Sequence, residues 1–369
     1  MVDGVRKYFY SNSEKKVRIK LKEYQVDASR GIKGCRVRFG KYFENWLVTT
    51  KKRKLKPTSY DRLERTYNYY LRDELGRIPL EELSTQRCQE VINRAADRLS
   101  YSTVKKIYEA LNACLSYAVA VGDLQRNPMK AVEMPREDAA ANQTKEVMIP
   151  TVEEMRHLFE VAKETYGNGR PIYNQTYVDA FRLICETGLR IGELLALKWE
   201  NVSLDKATAQ IVSSVSEVIN RERGNTEDNT KHLKRIVTDT KTKSGMRTIY
   251  LNTEAICILK GIRERTKNQG FDSEYVLCNS KGKPAVYHEL QRTLASLCRK
   301  AGMKPFGLHT LRHYFASRCL AEGAEPLALS KYLGHSKPSI TMNVYAHLMP
   351  KQNDVFKAVL ERMESNTPI

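Results

Sequence analysis

The sequence predicts a multidomain, mainly α protein: a helical domain first, then a mixed α+β domain with a small antiparallel sheet. Three observations carry this. Apolar residues recur at helical spacing from Phe39 to about Gly122, without strand-like alternation among them. Alternating stretches cluster instead at 202–219, 235–239 and 247–251, which read as strands of one small sheet. Between the two regions lies a polar, Ala-rich run, 136–149, framed by Pro135 and Pro150 and read as an interdomain linker.

Taken in order, residues 1–38 form a basic segment in which VRIKLKEYQV (17–26) alternates well enough for a strand. A helical domain spans 39–135. Phe43, Trp46 and Leu47 share one face, and Tyr60, Leu63, Tyr67, Tyr70 and Leu71 repeat at helical spacing behind the start signals Pro57 and Ser59. IPLEEL (78–83) opens a further helix through Ala95. A long helix then runs from Ser100 to near Gly122, with Val104, Ile107, Leu111, Cys114, Leu115 and Ala118 on one stripe and Lys105 and Lys106 on the other side.

The second domain, 150–350, opens on Thr151, whose T-x-x-E with Glu154 is a capping box. Residues 177–185 read as a buried helix, GLR (188–190) as a tight turn and 191–197 as another helix. Arg190 therefore stands at a loop–helix junction, where the helix N-terminus adds its own attraction for phosphate. The almost wholly polar run 220–235 reads as an extended loop, and 254–269 and 289–301 as helices. Beyond 350, a tail of residues 351–369 carries Val355, Phe356 and Val359 on a short helix that needs a partner surface to bury its apolar side.

The chain has 369 residues, enough for two or three domains with real cores. Its 62 Lys and Arg against 43 Asp and Glu give a net charge of +19 and a pI near 9.5. The excess is uneven: residues 1–57 hold seventeen Lys and Arg and five Asp and Glu. Such a balance points to a polyanionic partner, nucleic acid before membrane, because no basic amphipathic or membrane-spanning stretch accompanies it. Residues 1–10 lack the apolar core of a signal peptide. The eight cysteines are scattered singly with no C-x-x-C pair, so they read as reduced structural thiols of a cytosolic protein, not as zinc ligands.

The chemistry-bearing stretch is 309–345. His309 and Arg312 fall on one helix face in HTLRH; Gly334 stops a second apolar run and is followed at once by His335 in LGHS; Tyr345 comes ten residues later. These residue types suit work on a phosphodiester. A guanidinium fork binds phosphate oxygens, a histidine moves a proton and a tyrosine can attack phosphorus.

This set resembles the C-terminal signature of the tyrosine recombinases, the phage-type integrases. Upstream, TGLRIGELLALKW (187–199) resembles that family's first arginine box, and DTKTKSGMRTI (239–249) the β-hairpin that carries its lysine. The likeness runs over about residues 40–350, and it implies the following. The helical domain contacts core DNA, with Lys105 and Lys106 among its phosphate contacts and Arg247 a backbone contact in the second domain. Tyr345 is the nucleophile, forming a 3′-phosphotyrosyl bond. Arg190 and Arg312 clamp the non-bridging oxygens, with Glu193 orienting the arginine box. His309 exchanges the tyrosine proton, His335 adds a hydrogen bond in the transition state, and Lys241 protonates the leaving 5′ oxygen, with Lys243 the alternative. The resemblance implies no metal, cofactor or ATP. Its partners are double-stranded attachment sites, a homotetramer on two duplexes that forms Holliday junctions, and an accessory directionality factor, acting in a bacterial cytoplasm at the nucleoid. Residues 1–38 are a candidate remnant of an arm-type DNA-binding domain. Integration or excision of a phage or conjugative transposon is the favoured activity. A chromosome or plasmid dimer resolvase, a type IB topoisomerase-like enzyme and a catalytically silent DNA-binding regulator are the alternatives.

Overall fold

The computed structural model describes residues 10–11, 13–29, 37–137, 148–221, 233–239, 246–270, 273–279 and 281–335. The chain divides into two units, residues 1–146 with 218–222, and residues 147–217 with 223–369. Both are mainly helical, and the sheets belong chiefly to the second.

The first unit begins with α1 (Glu14–Ser29), so the stretch read as a strand from its alternation is a helix. Two physical reasons favour the helix. Lys, Arg, Glu, Leu and Gln are strong helix formers, and Glu14 pairs with Arg18 one turn on at 2.9 Å. A strand of this composition would need a half-buried surface for its apolar face, whereas Ile19 is half exposed.

The helical core proper is built from α2 (Phe39–Trp46), α3 (Pro57–Thr66), α4 (Arg72–Leu75), α5 (Thr85–Ala96) and α6 (Tyr101–Ala120). α2 and α3 each run on into a single π turn, Leu47–Lys51 and Tyr67–Leu71. An aromatic knot joins them: Phe43 stacks on Tyr67 at 4.6 Å between ring centroids and meets Trp46 edge-on at 5.1 Å. Val104, Ile107, Leu111, Cys114, Leu115 and Ala118 of α6 are fully buried, while Lys105 and Lys106 face solvent. The helix expected from Ile78 begins later. Leu80–Glu82 makes only a 3-10 turn, and the α-helix starts behind Ser84, whose hydroxyl accepts from the Arg87 N–H at 3.3 Å. Ile219 and Arg221 fasten to α3, where buried Asp61 accepts from the Ile219 N–H at 2.7 Å and pairs with Arg221 at 2.6 Å.

In the second unit the Thr151–Glu154 capping box is formed at the start of α7 (Val152–Val161). α8 (Gln175–Thr187) lies at the centre of this unit and is followed by α9 (Ile191–Ala196). The strands are β1 (Val202–Ser203), β2 (Thr208–Ile211), β3 (Ser213–Ile219), β4 (Leu233–Asp239) and β5 (Arg247–Tyr250). They form two sheets where the sequence suggested one: an antiparallel β1-β2-β5 ribbon, with Ala209 opposite Ile249, and a β3-β4 pair. α10 (Thr253–Asn268), α11 (Tyr287–Lys300), α12 (Leu308–Ala321) and α13 (Pro326–Leu333) complete it. α8 packs against α10 and α12 around a core that includes Phe181, Ile184, Leu194, Ile249, Leu259, Leu294 and Leu311. Among the described residues no helix is long and apolar enough to cross a membrane.

Candidate active site

Two left-handed glycines shape the site. Gly188 (φ 65°) ends α8, and a Cβ there would come within 2.4 Å of the Phe315 ring and 2.8 Å of Leu333, so neither the backbone nor the space admits a side chain. Gly334 (φ 68°) ends α13 in the same conformation. The first glycine aims Arg190 at the start of α9; the second sets His335 just past the end of α13. α12 adds His309, Arg312 and His313 on successive turns.

Three arginines converge on the last turn of α13. The Tyr332 carbonyl accepts from Arg247 Nε at 2.8 Å, the Leu333 carbonyl from Arg312 Nη2 at 2.7 Å and the Gly334 carbonyl from Arg190 Nη2 at 2.7 Å. These carbonyls lack partners within their own helix and carry its partial negative charge, so guanidinium groups suit them. Arg312 Nη1 also donates to the Gly188 carbonyl at 2.9 Å, tying α12 to the turn after α8. Arg312 is only 2 % exposed, whereas the Arg190 side chain is 35 % exposed. Arg190 is thus the open cation of the pair and Arg312 the embedded one.

Glu193, one turn into α9, is buried and holds four donors. Oε1 accepts from Arg190 Nη1 (2.7 Å) and Arg247 Nη1 (2.9 Å), and Oε2 from the Arg190 backbone N–H (2.9 Å) and Arg247 Nη2 (2.8 Å). Burial by itself pushes its pKa up, but the hydrogen bond and charge of Arg247, then those of Arg190, outweigh it and hold the carboxyl at about 2. It is an anion at any working pH.

The histidines are held neutral. His309 is open to solvent on one side, yet the protein against its other side strips away water. With the charges of His313, Arg312 and Arg190 this lowers its pKa to about 4, against a smaller opposing pull from Glu193. His335, half-buried, is lowered to about 4 by desolvation and then by Arg312 and Arg190. The His309 and His313 rings meet edge-on at 4.7 Å. A neutral imidazole beside an exposed guanidinium can accept a proton next to a bound anion, which is the chemistry that activating a hydroxyl nucleophile requires.

Arg190, Glu193, His309, Arg312 and His335 are therefore gathered at one place from three separate stretches. Lys241, Lys243 and Tyr345 lie outside the described residues, as do most of 136–149 and 220–235 and all of 351–369. Arg247, read from the sequence as a DNA backbone contact, points inward instead. Its side chain is 9 % exposed and its three nitrogens all donate to Glu193 or Tyr332. Alternation could have found this, since Arg247 shares a strand face with fully buried Ile249. His313 was also passed over, although one helical turn from His309 is a neighbouring position.

In the first unit, Lys105 and Lys106 are exposed on α6. Lys106 lines an open groove of about 520 Å³ with Thr58, Arg62, Arg65, Tyr69 and Tyr70. The π turn at 67–71 presents Tyr69, 76 % exposed, at its edge. Cations interleaved with aromatic and hydroxyl groups suit a phosphate backbone.

Residues 150–352 match the phage integrase family, and residues 38–96 match the phage integrase N-terminal SAM-like domain. The chain belongs to the phage integrase family. Within it, this tyrosine recombinase is 27 % identical over 365 residues to a XerC-like tyrosine recombinase of Caldanaerobacter subterraneus subsp. tengcongensis, covering 94 % of this chain and 89 % of that one. Its fold is similar to that of the Tn1549 transposon integrase in complex with transposon right-end DNA, with a TM-score of 0.69 and 21 % identity over 89 % of this chain and all of the other. A lambda integrase tetramer bound to a Holliday junction is also similar, with a TM-score of 0.58 and 15 % identity over 90 % and 91 % of the two chains.

Proposed function

We propose that this recombinase integrates and excises a mobile element by cutting and rejoining duplex DNA at the element's ends. The observation that carries the reading is the convergence of Arg190, Arg312, His309 and His335 on one point, with Glu193 and the α13 carbonyls fixing the arginines. In the proposed reaction the Tyr345 hydroxyl attacks the scissile phosphorus. Its proton passes to His309, the Tyr–O–P bond forms and the bond to the 5′ oxygen breaks. Lys241 supplies that oxygen with its proton. Arg190, with Arg312 behind it, stabilises charge growing on the non-bridging oxygens, and His335 adds a hydrogen bond there. The reverse sequence, with a different 5′ hydroxyl attacking, rejoins the strand, so the phosphotyrosine conserves the bond and no ATP is consumed.

The groove of Arg62, Arg65, Tyr69 and Lys106, with Lys105 beside it, is the proposed backbone contact of the helical unit. Four copies on two duplexes are the proposed assembly, supported by the similar lambda integrase tetramer on a Holliday junction. The similarity to a transposon integrase favours element ends as substrates, while the XerC-like relative supports dimer resolution as the second reading.

A nicked suicide duplex carrying an element end tests the chemistry. The wild-type protein should be trapped on it as an SDS-resistant adduct, and Tyr345→Phe should bind the same DNA with unchanged affinity and trap nothing. An adduct formed by Tyr345→Phe would refute the nucleophile assignment. Trapping only on a plasmid or chromosome dimer site would favour the resolvase.

A further inference from the structure

Arg247 opens β5, which follows Lys241 and Lys243 in the sequence, and its guanidinium is committed at every nitrogen: two donate to Glu193 and one to the Tyr332 carbonyl. The next two carbonyls along, Leu333 and Gly334, hold Arg312 and Arg190. Arg190 returns to Glu193 through both its side chain and its backbone N–H. The result is a closed circuit: Arg190, Glu193, Arg247, the α13 terminus and back to Arg190.

We propose that Arg247 is a positioning residue for strand cleavage, sharing Glu193 so that it does not fully neutralise Arg190 and tying the start of β5 to the end of α13. The inference rests on the cleavage reading above. Its physical basis is the charge balance. One buried carboxylate facing one guanidinium leaves no net charge for an arriving phosphate. Shared between two guanidinium groups, the same carboxylate leaves a full positive charge, and the exposed member of the pair is Arg190. Arg247 also fixes the direction of that charge. With one Nη of Arg247 on each carboxylate oxygen, the fork fixes the carboxylate plane, so Glu193 Oε1 meets Arg190 Nη1 in one orientation. Lysine would keep the charge and lose the fork.

The test compares Arg247→Ala, Arg247→Lys, Glu193→Gln and the double variant Glu193→Gln/Arg247→Ala on the suicide duplex. It records adduct formation rate at saturating DNA, DNA Kd and Tm. Arg247→Ala should slow adduct formation by about 100-fold or more, the scale of losing an oriented charge in a reaction centre, while DNA Kd moves by less than about threefold. Arg247→Lys should recover roughly tenfold of that loss, its charge restored and its fork absent. In the Glu193→Gln background the same Arg247→Ala change should cost less than about tenfold, because the charge that Arg247 offsets is gone.

Equal losses in both backgrounds, or rates that merely track Tm across the set, would reduce Arg247 to a stabilising ion pair and overturn the proposal. Should Arg247→Ala fail to fold, Arg247→Lys decides: a wild-type adduct rate in that variant overturns the proposal equally. If the wild-type protein forms no adduct at all, the cleavage reading fails and this proposal falls with it. A trapping wild type with an unimpaired Arg247→Ala sinks this proposal alone.

Discussion

In the helical unit, Arg62, Arg65 and Lys106 line an open groove, and Lys105 is exposed on the same helix as Lys106. In the second unit, Arg312 is buried, Arg247 is nearly so and Arg190 is one-third exposed, each hydrogen-bonded to backbone carbonyls, to Glu193 or to both. Charged residues buried in the described parts of the first unit reduce to Asp61, whereas the second buries Asp179, Glu193 and Arg312. The contrast separates two uses of positive charge. Solvated lysines and arginines can each meet a phosphate with little prior organisation, so their effects should add and be weakened by salt. Cations held by carbonyls are oriented before substrate arrives, so removing one should disturb its neighbours and change chemistry more than affinity.

The largest test of this contrast lies inside the second unit. Arg190→Ala should bind DNA nearly as well as wild type while adduct formation drops by about 100-fold to 1000-fold, the scale of losing one preorganised donor. Arg312→Ala should lose catalysis too, but it should also unfold more easily, by roughly 3 kcal/mol in denaturant titration, because the Gly188 and Leu333 carbonyls are left without their donor and a cavity opens. Equal stability of the two variants would contradict the division into an open and an embedded arginine.

Smaller effects are expected from pH. His309 and His335 have pKa values near 4 in the folded protein against an ordinary 6.5, so both are neutral at pH 7. The acid limb of kcat/KM should therefore fall below pH 5, with little change between pH 6 and 8. A limb centred near 6.5 would show that His309 is not shielded. The sign for stability follows from the same shifts. The unfolded chain takes up protons that the folded one refuses between pH 6.5 and 4, so this contribution is complete above 6.5 and is lost as pH falls toward 4.

The mildest change is expected in the helical unit. Lys105→Ala/Lys106→Ala should leave the adduct rate at saturating DNA unchanged and weaken binding. The log–log salt dependence should become shallower by about 0.9 for each phosphate that the variant no longer neutralises, read from Kd between low and moderate salt. A catalytic defect that persists at saturation would erase the distinction between the two units.

Much of the architecture was legible in local sequence pattern because its causes are local. The stripe from Val104 to Ala118, the Thr151–Glu154 box, the turn that begins at Gly188 and the glycine stop at Gly334 depend on residues within a turn or two, and all are present in the fold. The resemblance of HTLRH, LGHS and TGLRIGELLALKW to a family signature likewise pointed to Arg190, Glu193, His309, Arg312 and His335, which lie together in the fold. Local pattern misled where a partner surface decides: 17–26 alternates like a strand but folds as α1, and the expected single sheet became two.

The way the arginines are held could come only from the tertiary structure. Their acceptors are the carbonyls of Gly188, Tyr332, Leu333 and Gly334, groups that every residue possesses and that no side-chain motif marks. Those carbonyls are free to accept because α8 and α13 end where they do, and they are near because α12 and β5 pack beside those ends. Residue types in the chain determined that a set of side chains suited to phosphate exists. The meeting of helix termini in space decided which arginine is open to substrate, which is embedded, and that Arg247 turns inward to share Glu193.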